Sequence, residues 1–218
     1  MAGPEKRRKR EKEQRKKAIL KAARKLFAEY GFRPVTVASI AKKAELSKGA
    51  IYLYFDSKEE IYAQILLTDI EAFHREMSQI FQKGHSASQI LFDFSDAYID
   101  IFFNQREQFR TLMNFMLNAD NLNLSNGIRK QIIREMNRTI SLIEKILQYG
   151  VDAGELFLKK PDMRRMRNVL WGLLNGVISL HLFVGVESMR EERIRSNVRE
   201  GLEIIIEGLS HTSEEERL

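Results

Sequence analysis

Apolar residues recur at three- and four-residue intervals along almost the whole chain. Ile19, Ala22, Ala23, Leu26, Phe27 and Tyr30 share one face and predict a first helix over roughly residues 11–30, ended by Gly31. Val37, Ile40, Ala41 and Ala44 mark a short second helix. Ile61, Ile65, Leu66, Ile70, Phe73, Met77 and Ile80 carry a long helix from Ser57 to about Phe81. The same periodicity predicts helices at about 87–104, 106–117, 126–150, 162–184 and 190–210. Gly84–Ser88, Asn118–Asn126 and Val151–Pro161 are the polar or glycine-bearing breaks between them, and Pro34 and Pro161 each precede a helix. No segment alternates as a strand would. The expected fold class is all-α, with about nine helices.

The stretch from Thr36 to Lys58 is the most specific. Thr36 can cap the helix that follows it or hydrogen-bond a phosphate beside the helix N-terminus. Glu45 and Leu46 make a turn, with Leu46 as an apolar plug, and Ser47 caps the next helix. Gly49 costs that helix about 1 kcal/mol relative to alanine, which makes sense if another surface must come close. The hydroxyls of Tyr52 and Tyr54 can reach phosphates, while Leu53 and Phe55 are expected to pack inward. Ser57 with Glu60 three residues later reads as a capping box. Two short helices on a tight turn, the second too small to be a core element, have the form of a unit that enters the DNA major groove.

Charge is placed accordingly. The 218 residues carry a formal net charge of +6, but residues 1–60 hold 17 Lys and Arg against 8 Asp and Glu, while residues 61–218 hold 19 against 22. The positive field lies where phosphate binding needs it. Residues 5–17 are nearly all charged or Gln, either a disordered solvated tail or a basic arm that touches phosphates or the minor groove.

The segment from about residue 18 to 62 resembles the DNA-binding motif of TetR-family transcriptional regulators. The resemblance is carried by Phe27, Tyr30-Gly31-Phe32, Thr36, Ile40-Ala41, the run from Ser47 to Phe55, and Lys58-Glu59-Glu60-Ile61. One departure is Val35, where many members have a second hydroxyl residue. The resemblance implies that Ser47 to Tyr54 lie in the major groove, with Lys48 contacting a base or phosphate and Gly49 permitting close approach. Tyr52 and Tyr54 would bond phosphates, and Thr36 and Lys58 would clamp the backbone on either side. It also implies a DNA-binding domain over 1–56 and a helical effector-binding and dimerisation domain over 57–218. The implied function is a homodimeric repressor of a palindromic operator on double-stranded DNA, released by a small hydrophobic effector. The alternative is a constitutive or architectural DNA-binding protein without effector.

The C-terminal part supplies candidates for the effector and the dimer. Phe94, Tyr98, Phe102, Phe109, Met113, Phe115 and Met116, with Trp171 and Asn175, are either ordinary core or the wall of an apolar cavity. Residues 169–186 form an uncharged run at the edge of membrane-span length, but Asn175, Ser179 and His181 interrupt it. The preferred reading is a helix buried on most sides, with Gly172 and Gly176 allowing close helix approach. Ile194, Val198, Leu202, Ile205 and Leu209 form one apolar stripe on the last helix. The resemblance implies that these two helices pair with their copies in a four-helix interface.

Catalytic and metal readings find little support. There is no cysteine, no phosphate-cradling glycine loop and no His-Glu-x-x-His or Gly-x-Ser-x-Gly. Glu71 and His74 form a Glu-x-x-His with no second copy, so His74 reads as a partly exposed helix residue and His181 as a core histidine. No metal, cofactor or enzymatic activity is expected. The basic N-terminus lacks the apolar segment of a secretory signal, so the expected location is cytoplasmic, with no membrane partner.

Overall fold

The computed structural model describes residues 4–81, 84–118, 124–158, 160–183 and 189–210. Among them are nine helices: α1 Pro4–Tyr30, α2 Val37–Lys43, α3 Lys48–Tyr52, α4 Lys58–Ile80, α5 Ala87–Asn104, α6 Arg106–Asn118, α7 Asn126–Asp152, α8 Lys160–Phe183 and α9 Arg190–Ser210. No strand occurs among the described residues, and no described helix is long and apolar enough to cross a membrane. Most boundaries fall within two residues of expectation. The exception is α1, which starts at Pro4 and takes in the charged segment. Those residues are Glu, Lys, Arg and Gln, all good helix formers. Pro4 suits a first helical position, and nothing between it and the packed part of α1 breaks propagation.

The chain packs as two units, residues 1–69 with 107–133, and residues 70–106 with 134–218. The packing division therefore lies within α4, and α6 groups with the N-terminal helices.

In the first unit, Ile19, Ala23, Ile40, Ile51, Ile61 and Leu66 are fully or almost fully covered. Phe27, Phe32 and Tyr62 form a three-ring cluster with centroids 5.0–5.6 Å apart, across the exit of α1 and the start of α4. Burial, with Asp69 adding to it, pushes the Tyr62 phenol up to about 12, and its hydroxyl donates to the Thr111 carbonyl at 3.2 Å. Arg24 of α1 holds Asp69 of α4 through two bonds of 2.7 and 2.6 Å. This bidentate geometry fixes orientation as well as charge.

In the second unit, α9 lies against α8 and α5. Ile194, Val198 and Leu202 of α9 are buried there, and Arg195 binds Asp96 at 3.2 Å and also Asp100 of α5. The Arg199 guanidinium sits 4.8 Å from the Phe92 ring centroid. At the α7–α8 contact Arg167 pairs with Glu144 at 3.1 Å.

His74 of α4 faces α7, with Nδ1 3.3 Å from the hydroxyl of buried Thr139. Desolvation, then Arg138 and Lys145, lower its pKa, and Glu135 opposes them. Among the described residues no three His, Cys, Asp or Glu side chains gather as a metal site. A histidine held below its ordinary value binds fewer protons folded than unfolded. Stability is therefore lost as pH falls from about 6.5 toward the folded value. The denaturation midpoint in urea should drop between pH 7 and pH 5.5, and His74→Gln should make that drop smaller; an unchanged drop would show that His74 does not contribute.

Candidate nucleic-acid interface

The second helix of the motif is built from both ends. Thr36 Oγ1 accepts from Ser39 N at 3.1 Å, and Ser39 Oγ accepts from Thr36 N at 3.0 Å, a reciprocal box that opens α2. α2 closes through Ala44 N on Ile40 O and Leu46 N on Ala41 O, both 2.9 Å. Glu45 takes the left-handed conformation, φ 56°, which turns the chain, and Leu46 is half-buried beneath it. Ser47 Oγ then accepts from Ala50 N at 3.1 Å and starts α3.

One side of α3 holds it in place. Ile51 is fully covered and Phe55 is 2% exposed. Burying each contributes about 1.5–3 kcal/mol. The opposite side is Lys48, Gly49, Tyr52 and Leu53, all exposed, with the Lys48 ammonium 6.0 Å from the Tyr52 ring centroid. Leu53 was expected to pack inward, yet it is 75% exposed. Ile51 and Phe55, four residues apart, define the buried face, and Leu53 falls between them on the other side. Tyr54 is half-buried. Lys42 and Lys43 lie exposed in the last turn of α2 and add positive charge near this surface.

Gly49 has no structural duty here. A methyl at that position would meet only Ser47 Oγ at 4.0 Å, and its φ lies outside the left-handed region. A helix position that forgoes a free methyl, at a cost of about 1 kcal/mol, is explained by something approaching from outside the chain.

Lys58 has an internal task that the pattern did not reveal. Its ammonium donates to Phe32 O at 3.1 Å and Arg33 O at 3.2 Å and lies 4.4 Å from the Phe32 ring centroid. It ties the α1–α2 connection to the start of α4, which leaves at most one of its three donors for a phosphate. The box at the start of α4 is also shifted by one residue: Ser57 Oγ accepts from Glu60 N at 3.0 Å, but Glu60 Oε2 accepts from Asp56 N at 2.6 Å.

The effector candidates divide between the packing units. Phe109, Met113 and Phe115 belong to the first; the Met116 side chain lies outside the described residues. Phe94, Tyr98, Phe102, Trp171 and Asn175 belong to the second. There the Tyr98 hydroxyl donates to Asn175 Oδ1 at 2.7 Å, Asn175 Nδ2 donates to Trp171 O at 2.8 Å, and the Tyr98 ring packs edge-on against Trp171 and Phe73. Burial raises the Tyr98 phenol far above its ordinary value, partly offset by Asn175. An open groove of about 340 Å³ runs elsewhere in this unit, lined by Ser141, Glu144, Lys145, Gln148 and Met163.

The dimer candidates need a correction. Ile194, Val198, Leu202 and Leu209 are buried inside the single chain, because α9 has one continuous apolar stripe and α5 and α8 already cover it; Ile205 is half-buried. Among the described residues of this unit the large apolar side chains left open are Val169 and Leu180 of α8, with Gly172 and Gly176 between them, Ile204 of α9, Tyr149 of α7, Phe157 and Met189. Neither Gly172 nor Gly176 has any atom within 4 Å of where a Cβ would stand.

The sequence profile of the bacterial regulatory proteins of the tetR family matches residues 19–65, from the packed part of α1 into α4. Residues 19–65 form a DNA-binding segment of the tetR family. It is 28% identical over 151 residues, 68% of its length, to 75% of the HTH-type transcriptional regulator YhgD of Bacillus subtilis. The crystal structure of the TetR-family regulator PfmR from Thermus thermophilus superposes with a TM-score of 0.66 at 25% identity, covering 88% of this chain and 99% of that one. The FadR regulator of Bacillus subtilis, solved with stearoyl-CoA, gives 0.67 over 88% and 98%; at 20% identity that likeness is one of fold. The protein is thus a DNA-binding transcriptional regulator.

Two substitutions test the tetR-type surface. Gly49→Ala should raise the free energy of unfolding by about 0.5–1 kcal/mol while weakening binding to DNA; stabilisation with unchanged affinity would mean that nothing approaches that position. Lys48→Ala should weaken binding by about 1–3 kcal/mol in a titration with the target duplex, and unchanged affinity would remove Lys48 from the contact set.

Proposed function

We propose that the protein acts in the cytoplasm as a homodimeric repressor of a palindromic operator, released by a small hydrophobic effector. Residues 1–56 read the DNA, and residues 57–218 bind the effector and the partner subunit. The observation that carries the DNA contacts is the outward side of α3, where Lys48, Gly49 and Tyr52 stand exposed beside the exposed Thr36 and Ser47. Tyr54 and the remaining donor of Lys58 add phosphate contacts at the edge. Five residues of helix reach only a few base pairs, so a second copy at fixed spacing is needed for a usable site.

The subunit contact uses the open face of α8, Val169, Gly172, Gly176 and Leu180, joined by Ile204 of α9. Two glycines on that face let a second helix approach closely. For the effector, the FadR relative solved with stearoyl-CoA makes a long-chain acyl thioester the first compound to try. The Tyr98–Asn175 pair within the aromatic set of α5 and α8 offers it a polar anchor in an apolar wall. α4 is one covalent helix shared by both units, so a ligand that prefers one arrangement of that helix shifts DNA affinity by its differential affinity for the two states.

The test is a footprint of the full-length protein on the DNA flanking its own gene, at two salt concentrations, with and without stearoyl-CoA. Two symmetric protected half-sites, weakened by salt and lost with the thioester, are expected. Protection that no acyl thioester or other apolar compound relieves would favour the constitutive reading, and a single unsymmetrical half-site would remove the dimer.

A further inference from the structure

We infer that residues 4–17 form a cationic helical rod that grips the phosphates of duplex DNA beyond the stretch read by α3. This rests on the DNA-binding reading above and adds a second, sequence-independent contact to it. Residues 5–17 hold nine Lys and Arg against three Glu, a net of +6 that equals the formal net charge of the whole chain. The remaining residues therefore balance to zero, and the excess is concentrated in this one segment.

The segment is helical yet adds nothing to the core. Every side chain from Glu5 to Arg15 is exposed. Its charge order only partly serves helix stability. The macrodipole favours acidic residues in the first turn and basic ones in the last. Here Glu5 is followed at once by Lys6, Arg7 and Arg8, and the last turn of α1 has no basic residue. Arg7 pairs with Glu11 at 3.1 Å. Glu5–Lys9, Lys9–Glu13, Glu11–Arg15 and Glu13–Lys17 are likewise opposite charges four apart, while Lys6 and Arg10, Arg8 and Lys12, and Lys12 and Lys16 are like charges, which cost rather than help. A polyanion turns each of these penalties into an attraction and releases condensed counterions as it does so.

The rod starts at the DNA-reading unit. Lys16 is its first half-buried residue, with Nζ 3.3 Å from Gln64 Oε1 and 5.5 Å from the ring centroid of Phe55, one of the two anchors of α3. Lys9, Lys12 and Lys16 share one helix face, so a row of ammonium groups continues outward from that point. From Lys16 to Pro4 the helix extends about 18 Å, the length of roughly five base pairs. Charge complementarity commits this rod to duplex DNA.

The probe is a 40-base-pair duplex of random sequence, on which sequence reading plays no part. Binding of the full-length protein is measured by anisotropy from about 50 to 200 mM salt, beside the variant with Lys6, Arg8, Lys9, Arg10 and Lys12 all changed to Gln. Those side chains are exposed, and matching circular dichroism outside the arm's contribution checks the fold. The expected result is a fall of about two or more in the slope of log affinity against log salt, and affinity at least tenfold weaker at the lower salt. The variant's preference for a footprinted operator over the random duplex should be unchanged. An unchanged slope with normal wild-type binding overturns the proposal, since the rod is then only solvated. Wild-type binding to phosphatidylserine vesicles with none to the duplex also overturns it. Failure of the operator reading is separable: it would show as no footprint while the rod still gives salt-sensitive duplex binding.

Discussion

A helix of five residues has no stability of its own, because nucleation costs more than so few hydrogen bonds return. α3 therefore exists only as far as its surroundings hold it, and most of the first unit can be understood from that requirement. Ser47 supplies the first hydrogen bond, Ile51 and Phe55 bury the inner side, and the left-handed turn at Glu45 aims the helix away from α2. Around these, Arg24–Asp69 and the Phe27–Phe32–Tyr62 cluster fix α1 against α4, and Lys58 pins the connection between α1 and α2. Because α3 is anchored from one side only, its other side is free to be chosen for a partner. The unneeded glycine at position 49 and the exposed leucine at position 53 are the marks of that choice.

The second unit shows the complementary constraint, that one apolar stripe can be buried only once. α9 spends its stripe on α5 and α8 and is locked by the Arg195 ion pairs. Any further partner of this unit meets other atoms, among them Val169 and Leu180 of α8, Ile204 of α9, Tyr149 of α7 and Phe157. The buried polar pair of Tyr98 and Asn175 follows a similar rule. Each hydrogen-bonding group taken from water needs a partner, and the chain of bonds from Tyr98 to Asn175 to the Trp171 carbonyl supplies them. A ligand entering there must replace those bonds or add to them.

The helices were legible because each carries a long three-and-four periodicity punctuated by glycine, proline or polar runs. The caps at Thr36 and Ser47 were legible for a local reason, since a hydroxyl bonding an amide two or three residues on depends on little else. Three features were not. The reach of α1 to Pro4 was hidden because a charged helix and a charged coil have the same composition; what separates them is helix seeded at Ile19–Phe27 and propagated outward. The inward carbonyl contacts of Lys58 depend on where the α1–α2 connection comes to rest, 25 residues and more away in sequence. The burial of Ile194, Val198 and Leu202 within one chain was missed because a stripe shows that a helix packs on something, never on what.

Affinity and selectivity for DNA are separate physical problems, and on the reading proposed above this chain keeps them on separate elements. Affinity comes from charge and is insensitive to sequence, so its groups can be numerous and exposed, as the lysines and arginines of early α1 are. Selectivity comes from groups held at fixed positions against base edges, which demands the caps and buried anchors of α3. Placing both on one short helix would set them in conflict. Extra cations around Lys48 would tighten binding to every duplex alike and dilute the difference between right and wrong sites. Concentrating the excess charge on a segment that adds nothing to the core leaves α3 with a single lysine, a glycine and a tyrosine, few enough for their geometry rather than their charge to decide where the protein stays.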